Sequence, residues 1–276
     1  QSDLQTVAPY SKYAMDFDAL SGDYIDCGND SSLALTSNFS VSAWMKSSSQ
    51  GSYAVAVSKN NGNNGFSIQM RKNNNRFAFN INDGSWKQAY YDGINPIDDG
   101  KWHHVVGTFD GSTIKIYVDN IKGTDVSSGT MSTNTANFTI GAQTSGLFFN
   151  GQISNVSYWN TALTQAQVSE IYNQGLPGNL NSHSAYSNLV SWWQLGENSS
   201  FDGNDWIVAD EKGTNNGTST GMPVGALTNG VGTTANGVSS GMSEGNLIGD
   251  APYSTANALS TNMVITSRVT GSGNTP

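Results

Sequence analysis

The sequence predicts an all-β sandwich of two antiparallel sheets, with one short helix and an extended C-terminal arm. Three observations lead there. Short apolar runs rich in Val, Ile, Phe, Tyr and Trp alternate with clusters of Gly, Asn, Asp and Ser, the punctuation of many strands and turns. Only one segment, near residues 163–177, carries a well-marked helical signature. The 276 residues include 31 glycines but only 12% charged residues, a polar and turn-rich composition suited to short strands joined by loops.

Residues 1–12 form a polar lead-in, and the strand pattern begins at "YAMDFD". In "NFSVSAWMK", Phe39, Val41, Ala43 and Met45 share one face, which is the core side, while Ser40, Ser42, Trp44 and Lys46 share the other. "YAVAVSK", "GFSIQMR", "RFAFNIN" and "KQAYYDG" continue the pattern, with the loop "KNNGNNG" between the first two. "WHHVVGTF" and "TIKIYVDN" then read as a hairpin about Asp110-Gly111-Ser112. His103 and His104, neighbours in an extended strand, point to opposite faces and cannot grip one ion together. One ring is expected to pack or hydrogen-bond in the sheet and the other to face a groove or solvent. His183 is the only other histidine and Cys27 the only cysteine, so a four-ligand zinc site is not expected. Trp44, Trp102 and Trp159 lie in strand patterns and are assigned to the core. In "ALTQAQVSEIYNQGLPG", Thr164 is the N-cap, Gln167 completes a capping box, and Leu163 and Val168 form a hydrophobic staple. Val168, Ile171 and Tyr172 make an apolar stripe that ends at Gly175 and Pro177. The helix is expected to pack at an edge or end of the sandwich.

"AMDFDALSGDYIDCGND", "NFSVSAWMK", "KWHHVVGTFDGSTIKIYVDN", "FTIGAQ" and "FFNGQISNVSYWNTALTQAQVSEIYNQG" occur in that order over residues 13–175. Together they resemble the laminin-G-like branch of the concanavalin A-like lectin and glucanase superfamily, which includes pentraxin-like modules. The resemblance implies a jelly-roll sandwich of two curved antiparallel sheets, often with calcium and often binding glycans or other cell-surface ligands. "NLVSWWQLGENSSFDGNDWIVADEKGTNNGT", residues 188–218, looks like the segment that commonly opens such a module. Its Leu189, Val190, Trp192, Trp193 and Leu195 are expected to add a strand to the first sandwich rather than start a second one. The domain reading is therefore a sandwich over 13–218 and a Gly/Ser/Thr/Asn-rich arm over 219–276. Within that arm "MVITSRV" alternates like a strand, and the arm is a candidate for linking copies into a homo-oligomer.

Charge and motifs narrow the function. Net charge is −9, so no basic footprint exists for nucleic acid. No apolar run approaches the roughly 18 residues that would span a bilayer, so membrane insertion is not expected, and the N-terminus lacks a leader pattern. Glucanases of the resembled family use a Glu-x-Asp-x-x-Glu strand, which this chain lacks. Glu170, Glu197, Glu211 and Glu244 are scattered, and Asp98 and Asp99 read as a hydrophilic loop, so no enzyme is expected. In pentraxins an acidic loop binds calcium; the corresponding "AQTSGLF" offers Gln143 but no acid. Asn60, Asn61, Asn63 and Asn64 remain as amide-oxygen donors at that rim. For a single calcium ion, Asp18 and Asp23 beside Gly22 are the candidates by family position, against a plain hydrogen-bonded turn. For glycan, "NDGSWKQAYYDG" supplies Asn82, Asp83, Trp86, Tyr90, Tyr91 and Asp92, aromatic rings beside amide and carboxylate groups. The alternative is that Trp86 and one tyrosine cover the edge of the core. The expectation is a non-enzymatic, lectin-like recognition module on an extracellular or virion surface. The alternative is a structural assembly protein joined through its arm.

Overall fold

The computed structural model describes residues 10–94, 96–143 and 146–231, together with two short strands at 237–239 and 258–260. In chain order the strands are β1 (Tyr13–Phe17), β2 (Tyr24–Asp26), β3 (Phe39–Lys46), β4 (Ala54–Asn60), β5 (Asn64–Arg71), β6 (Arg76–Asp83), β7 (Trp86–Tyr91), β8 (Trp102–Phe109), β9 (Thr113–Val118), β10 (Ile121–Ser127), β11 (Thr139–Ile140) and β12 (Gly151–Trp159). After the helix α1 (Gln165–Tyr172) come β13 (Leu189–Trp193), β14 (Ser200–Phe201), β15 (Trp206–Val208), β16 (Gly217–Thr220) and β17 (Leu227–Asn229). They form two antiparallel sheets. One runs β10-β9-β8-β3-β12-β1-β17 with β13 also on β12, and the other runs β14-β15-β16-β2-β11-β4-β5-β6-β7.

The core lies between the sheets because alternate residues of every long strand are apolar in phase. Phe39, Val41, Ala43 and Met45 of β3 meet Phe66, Ile68 and Met70 of β5 and Phe77, Phe79 and Ile81 of β6, all with almost no exposure. The ring centroid of Phe39 lies within 6.3 Å of those of Phe66, Phe79, Phe109 and Tyr158, offset and edge contacts that aromatic quadrupoles favour. Gly107 in β8 has no side chain because the Phe79 ring occupies the space a Cβ would need, 2.3 Å from it.

The other face of the first sheet is buried as well. Val106, Tyr117, Trp159, Leu189 and Trp192 pack against Leu163, Val168 and Ile171 of the helical segment. The helix thus covers a sheet face, not an edge or end as its sequence context suggests. Its length was too short to show how broad a surface the following turns, down to Ala185, add to it. The capping box is present: Thr164 Oγ1 accepts from the Gln167 N–H, and Gln167 Oε1 accepts from the Thr164 N–H. The helix ends earlier than Gly175, at Asn173, which takes the left-handed conformation at φ 43°. Trp44 and Trp159 are buried under this layer rather than between the sheets, and Trp102 is only half-buried.

The late segment joins the same sandwich. Val156 to Trp159 of β12 pair with Trp193 to Leu189 of β13, while Gly151 to Ile153 pair with β1, so β12 changes partner at the bulge containing Asn155. β15 and β16 extend the second sheet beside β2. Residues expected in the arm also belong here: β17 pairs with β1, and Met222 and Ala226 lie in the core, so the compact unit runs Pro9–Val231. Their apolar positions are too widely spaced to read as strand or core in isolation. The second unit contains a parallel pair, β18 (Gly237–Ser239) and β19 (Ala258–Ser260). The strand expected at "MVITSRV" and the lead-in before Tyr10 lie outside the described residues.

Candidate functional site

Register across the second sheet aligns its polar positions. Thr218 pairs with Asp26, Asp26 with Thr139, Thr139 with Ser58, Ser58 with Ser67, Ser67 with Asn80, and Asn80 with Gln88. These seven residues form one row on the face turned away from the core, spanning about 29 Å at the usual strand spacing. Gln88 donates to Asn80 Oδ1 at 2.8 Å, and Asn80 and Gln69 both donate to Ser67 Oγ at 3.3 and 3.1 Å. The middle of the row is sealed, with Ser58, Ser67 and Asn80 at most 3% exposed, and Ser58 Oγ has no hydrogen-bond partner. Its ends are open. At one end Asp26, Asn137, Asn215, Thr218 and Thr220 line a depression of about 610 Å³. At the other, Trp86, Gln88 and Tyr90 share the outward face of the edge strand β7, with Trp86 50% exposed.

The expected ligand residues divide. Trp86 and Tyr90 stand on the open face, whereas Tyr91 packs against the core. Asp83 closes turns, accepting from the N–H groups of Ser85 and Gly129, and these bonds hold its carboxyl below the usual range. Asn82 donates to the Gly62 carbonyl and caps Gly84. Asn60 accepts from the Gly62 N–H and Asn61 from those of Asn63 and Asn64, so these side chains shape their own hairpin; Asn63 is exposed. Asp92 is exposed beyond β7. Gln88, Asn80, Ser67, Arg71, Arg76 and Tyr53 were not singled out from the sequence. The period-two alternation marked their faces, but only pairing of distant strands shows that they adjoin.

Asp18 and Asp23 form a tight turn. Asp18 accepts from the Leu20 N–H and Ser21 hydroxyl, and Asp23 Oδ2 accepts from the Asp18 N–H at 3.0 Å. Asp23 is 2% exposed, and its Oδ1 has no hydrogen-bond partner. Burial, with the nearby charges of Asp18 and Asp16 adding to it, raises the Asp23 pKa. An orphan carboxylate oxygen suits a hard cation, yet among the described residues no three His, Cys, Asp or Glu side chains converge on one point. Asp98 pairs with Lys72, and Asp99 bonds His103 and Lys101, so this acid pair is tied to its neighbours.

His103 and His104 do face opposite sides, but both are buried, His103 at 7% exposure and His104 at 0%. His103, beside the Phe77 ring, is bonded through Nδ1 to Asp119 at 2.7 Å and through Nε2 to Asp99 at 3.2 Å. His104 is fully buried against Trp44 and Tyr172, which also stack on each other, and neither of its ring nitrogens has a partner. The helix layer that covers it was invisible in the strand pattern.

The model of the concanavalin A-like lectin/glucanases superfamily matches residues 20–169, more than half of the chain. The chain belongs to this superfamily. Its laminin-G-like sandwich is similar to that of a protein from Bacteroides ovatus assigned as carbohydrate binding, with a TM-score of 0.60 and 18% identity, covering 79% of this chain and 60% of that one. It is also similar to the heptameric SAP-like pentraxin of Limulus polyphemus, with a TM-score of 0.51 and 13% identity, covering 80% of this chain and 95% of that one. Domains LG4-5 of mouse laminin alpha1 match at a TM-score of 0.44 and 14% identity, covering 55% of this chain and 41% of that one. No curated protein matches in sequence. Among the described residues no helix is long and apolar enough to cross a membrane.

Proposed function

We propose that this superfamily member is a non-enzymatic, lectin-like recognition module that acts outside the cell or on a virion surface and binds glycan at the β7 end of the second sheet. The observation that carries the proposal is the half-exposed Trp86 in line with Gln88 and Tyr90. Sugar C–H faces stack on rings, and their hydroxyls need amide partners held in place. Gln88 is held by Asn80, so its orientation is set before a ligand arrives, which reduces the entropy lost on binding. Superfamily membership and the Bacteroides ovatus neighbour are consistent with carbohydrate as the ligand class.

Binding to a glycan array or to immobilised polysaccharide is expected to fall about two- to tenfold in Trp86→Ala, as loss of a ring contact worth about 0.5–1.5 kcal/mol implies. Retained binding in that variant would remove Trp86 from the site. Calcium at Asp23 is a second part of the proposal, supported by its orphan Oδ1. Calcium should raise the melting temperature of the wild type and leave Asp23→Asn unaffected; an equal response in both would exclude the site. The assembly reading, with the arm joining copies, predicts instead that oligomers fall apart on deletion of residues 232–276, which light scattering would register.

A further inference from the structure

Arg71 and Arg76 are the only arginines of the sandwich, and β5–β6 register sets them directly opposite each other. They lie on the same outward face as Gln69 and Tyr90. Like charges directly across a ladder repel, so the arrangement calls for a compensating anion. None is supplied by the described residues. Five of the nine lysines, Lys72, Lys87, Lys101, Lys115 and Lys122, lie within 4.0 Å of a carboxylate, whereas neither arginine does. This is notable in a chain where acidic residues outnumber basic ones 21 to 12.

Each guanidinium instead rests on a ring. Arg71 lies 4.7 Å from the centroid of Tyr53, and Arg76 lies 4.0 Å from that of Tyr90. Stacking fixes the planes of the two forks without using up their in-plane donors. The Nε atoms of both are shielded from solvent and have no hydrogen-bond partner. The Tyr53 hydroxyl accepts from Asn73 Nδ2 at 2.9 Å, and the Arg71 guanidinium over its ring lowers the phenol's pKa. Two immobilised, uncompensated forks beside a ring-and-amide platform match a sugar that bears an oxyanion.

We infer that the glycan bound at the β7 end is acidic, carrying carboxylate or sulfate groups that Arg71 and Arg76 grip while Tyr90 and Trp86 support the sugar rings. This rests on the glycan reading above and specifies its ligand class. A purely structural role for the arginines, holding the two tyrosines in place, makes a different prediction.

The test uses the full chain and two matched pairs of probes, polygalacturonate against its methyl ester and dextran sulfate against dextran, followed by calorimetry at low and high salt. The acidic member of at least one pair is expected to bind about tenfold or more tighter than its neutral partner, with the advantage shrinking as salt rises. The pair that responds identifies carboxylate or sulfate as the source. Arg71→Gln with Arg76→Gln should remove that preference while leaving the melting temperature close to wild type, and the Arg→Lys pair should restore it in part. Equal affinity for charged and neutral partners, or an acidic preference that survives the double glutamine variant, would overturn the inference. If neutral polymers bind through Trp86 without any acidic preference, the glycan reading stands and this one falls. If no carbohydrate binds, both fall.

Discussion

His103 lies between two carboxylates, and His104 beside it has no polar partner at all, so adjacent residues respond to acid in opposite senses. Burial opposes charge on His103, but the hydrogen bonds and charges of Asp119 and Asp99 outweigh it and raise its pKa above 6.5. Its contribution to stability is therefore complete below the unfolded value of about 6.5 and fades as pH rises through the folded one. Burial lowers the pKa of His104 to about 3, with only Asp119 acting against it. The unfolded chain takes up a proton there that the native protein refuses, so stability falls as pH drops from about 6.5 towards 3. Urea melts across about pH 4–8.5 should show His103→Gln flattening the alkaline decline and His104→Phe flattening the acid one. The phenylalanine keeps the ring contacts with Trp44 and Tyr172 and removes two orphan nitrogens, so it should also stabilise the fold by about 1–3 kcal/mol near pH 5. A destabilised His104→Phe protein would mean that its nitrogens have partners.

Elements were legible where a local pattern sufficed and illegible where distant strands had to be matched. β3 and α1 show the contrast. The alternation in "NFSVSAWMK" identified the core face of β3, and the Thr164 to Gln167 spacing identified the helix cap, because both are decided within a few residues. What the helix lies on depends on Val106, Tyr117 and Trp159, which come from three other strands. The same limit hid the polar row: each member had the correct phase in its own strand, but its neighbours come from six pairings across the sheet. Thr164→Ala should cost about 1 kcal/mol by leaving an N-terminal N–H without its acceptor, read from chemical denaturation. Gly107→Ala should cost about 1–3 kcal/mol, since its methyl group would meet the buried Phe79 ring. If Gly107→Ala were neutral, the two sheets would have room to separate there.

At the scale of the whole molecule, the sandwich is completed by chain from both flanks of the region that the superfamily model matches. β1 precedes residue 20, and Trp193, Leu195, Trp206, Val208 and Met222 come after residue 169, all in the single core. A fragment of residues 20–169 should therefore show no cooperative melting, whereas residues 10–231 should melt as one unit; calorimetry separates the two outcomes. Tyr13, at the start of β1, pairs with Asn229, at the end of β17, and the Gly230 N–H donates to the Lys12 carbonyl. Tension applied through the two ends of this unit would therefore open that ladder rung by rung from one side, like a zipper, instead of shearing all its bonds at once. The module should consequently yield at low pulling force, and a tether carrying mechanical load would have to draw its strength from something other than this seam.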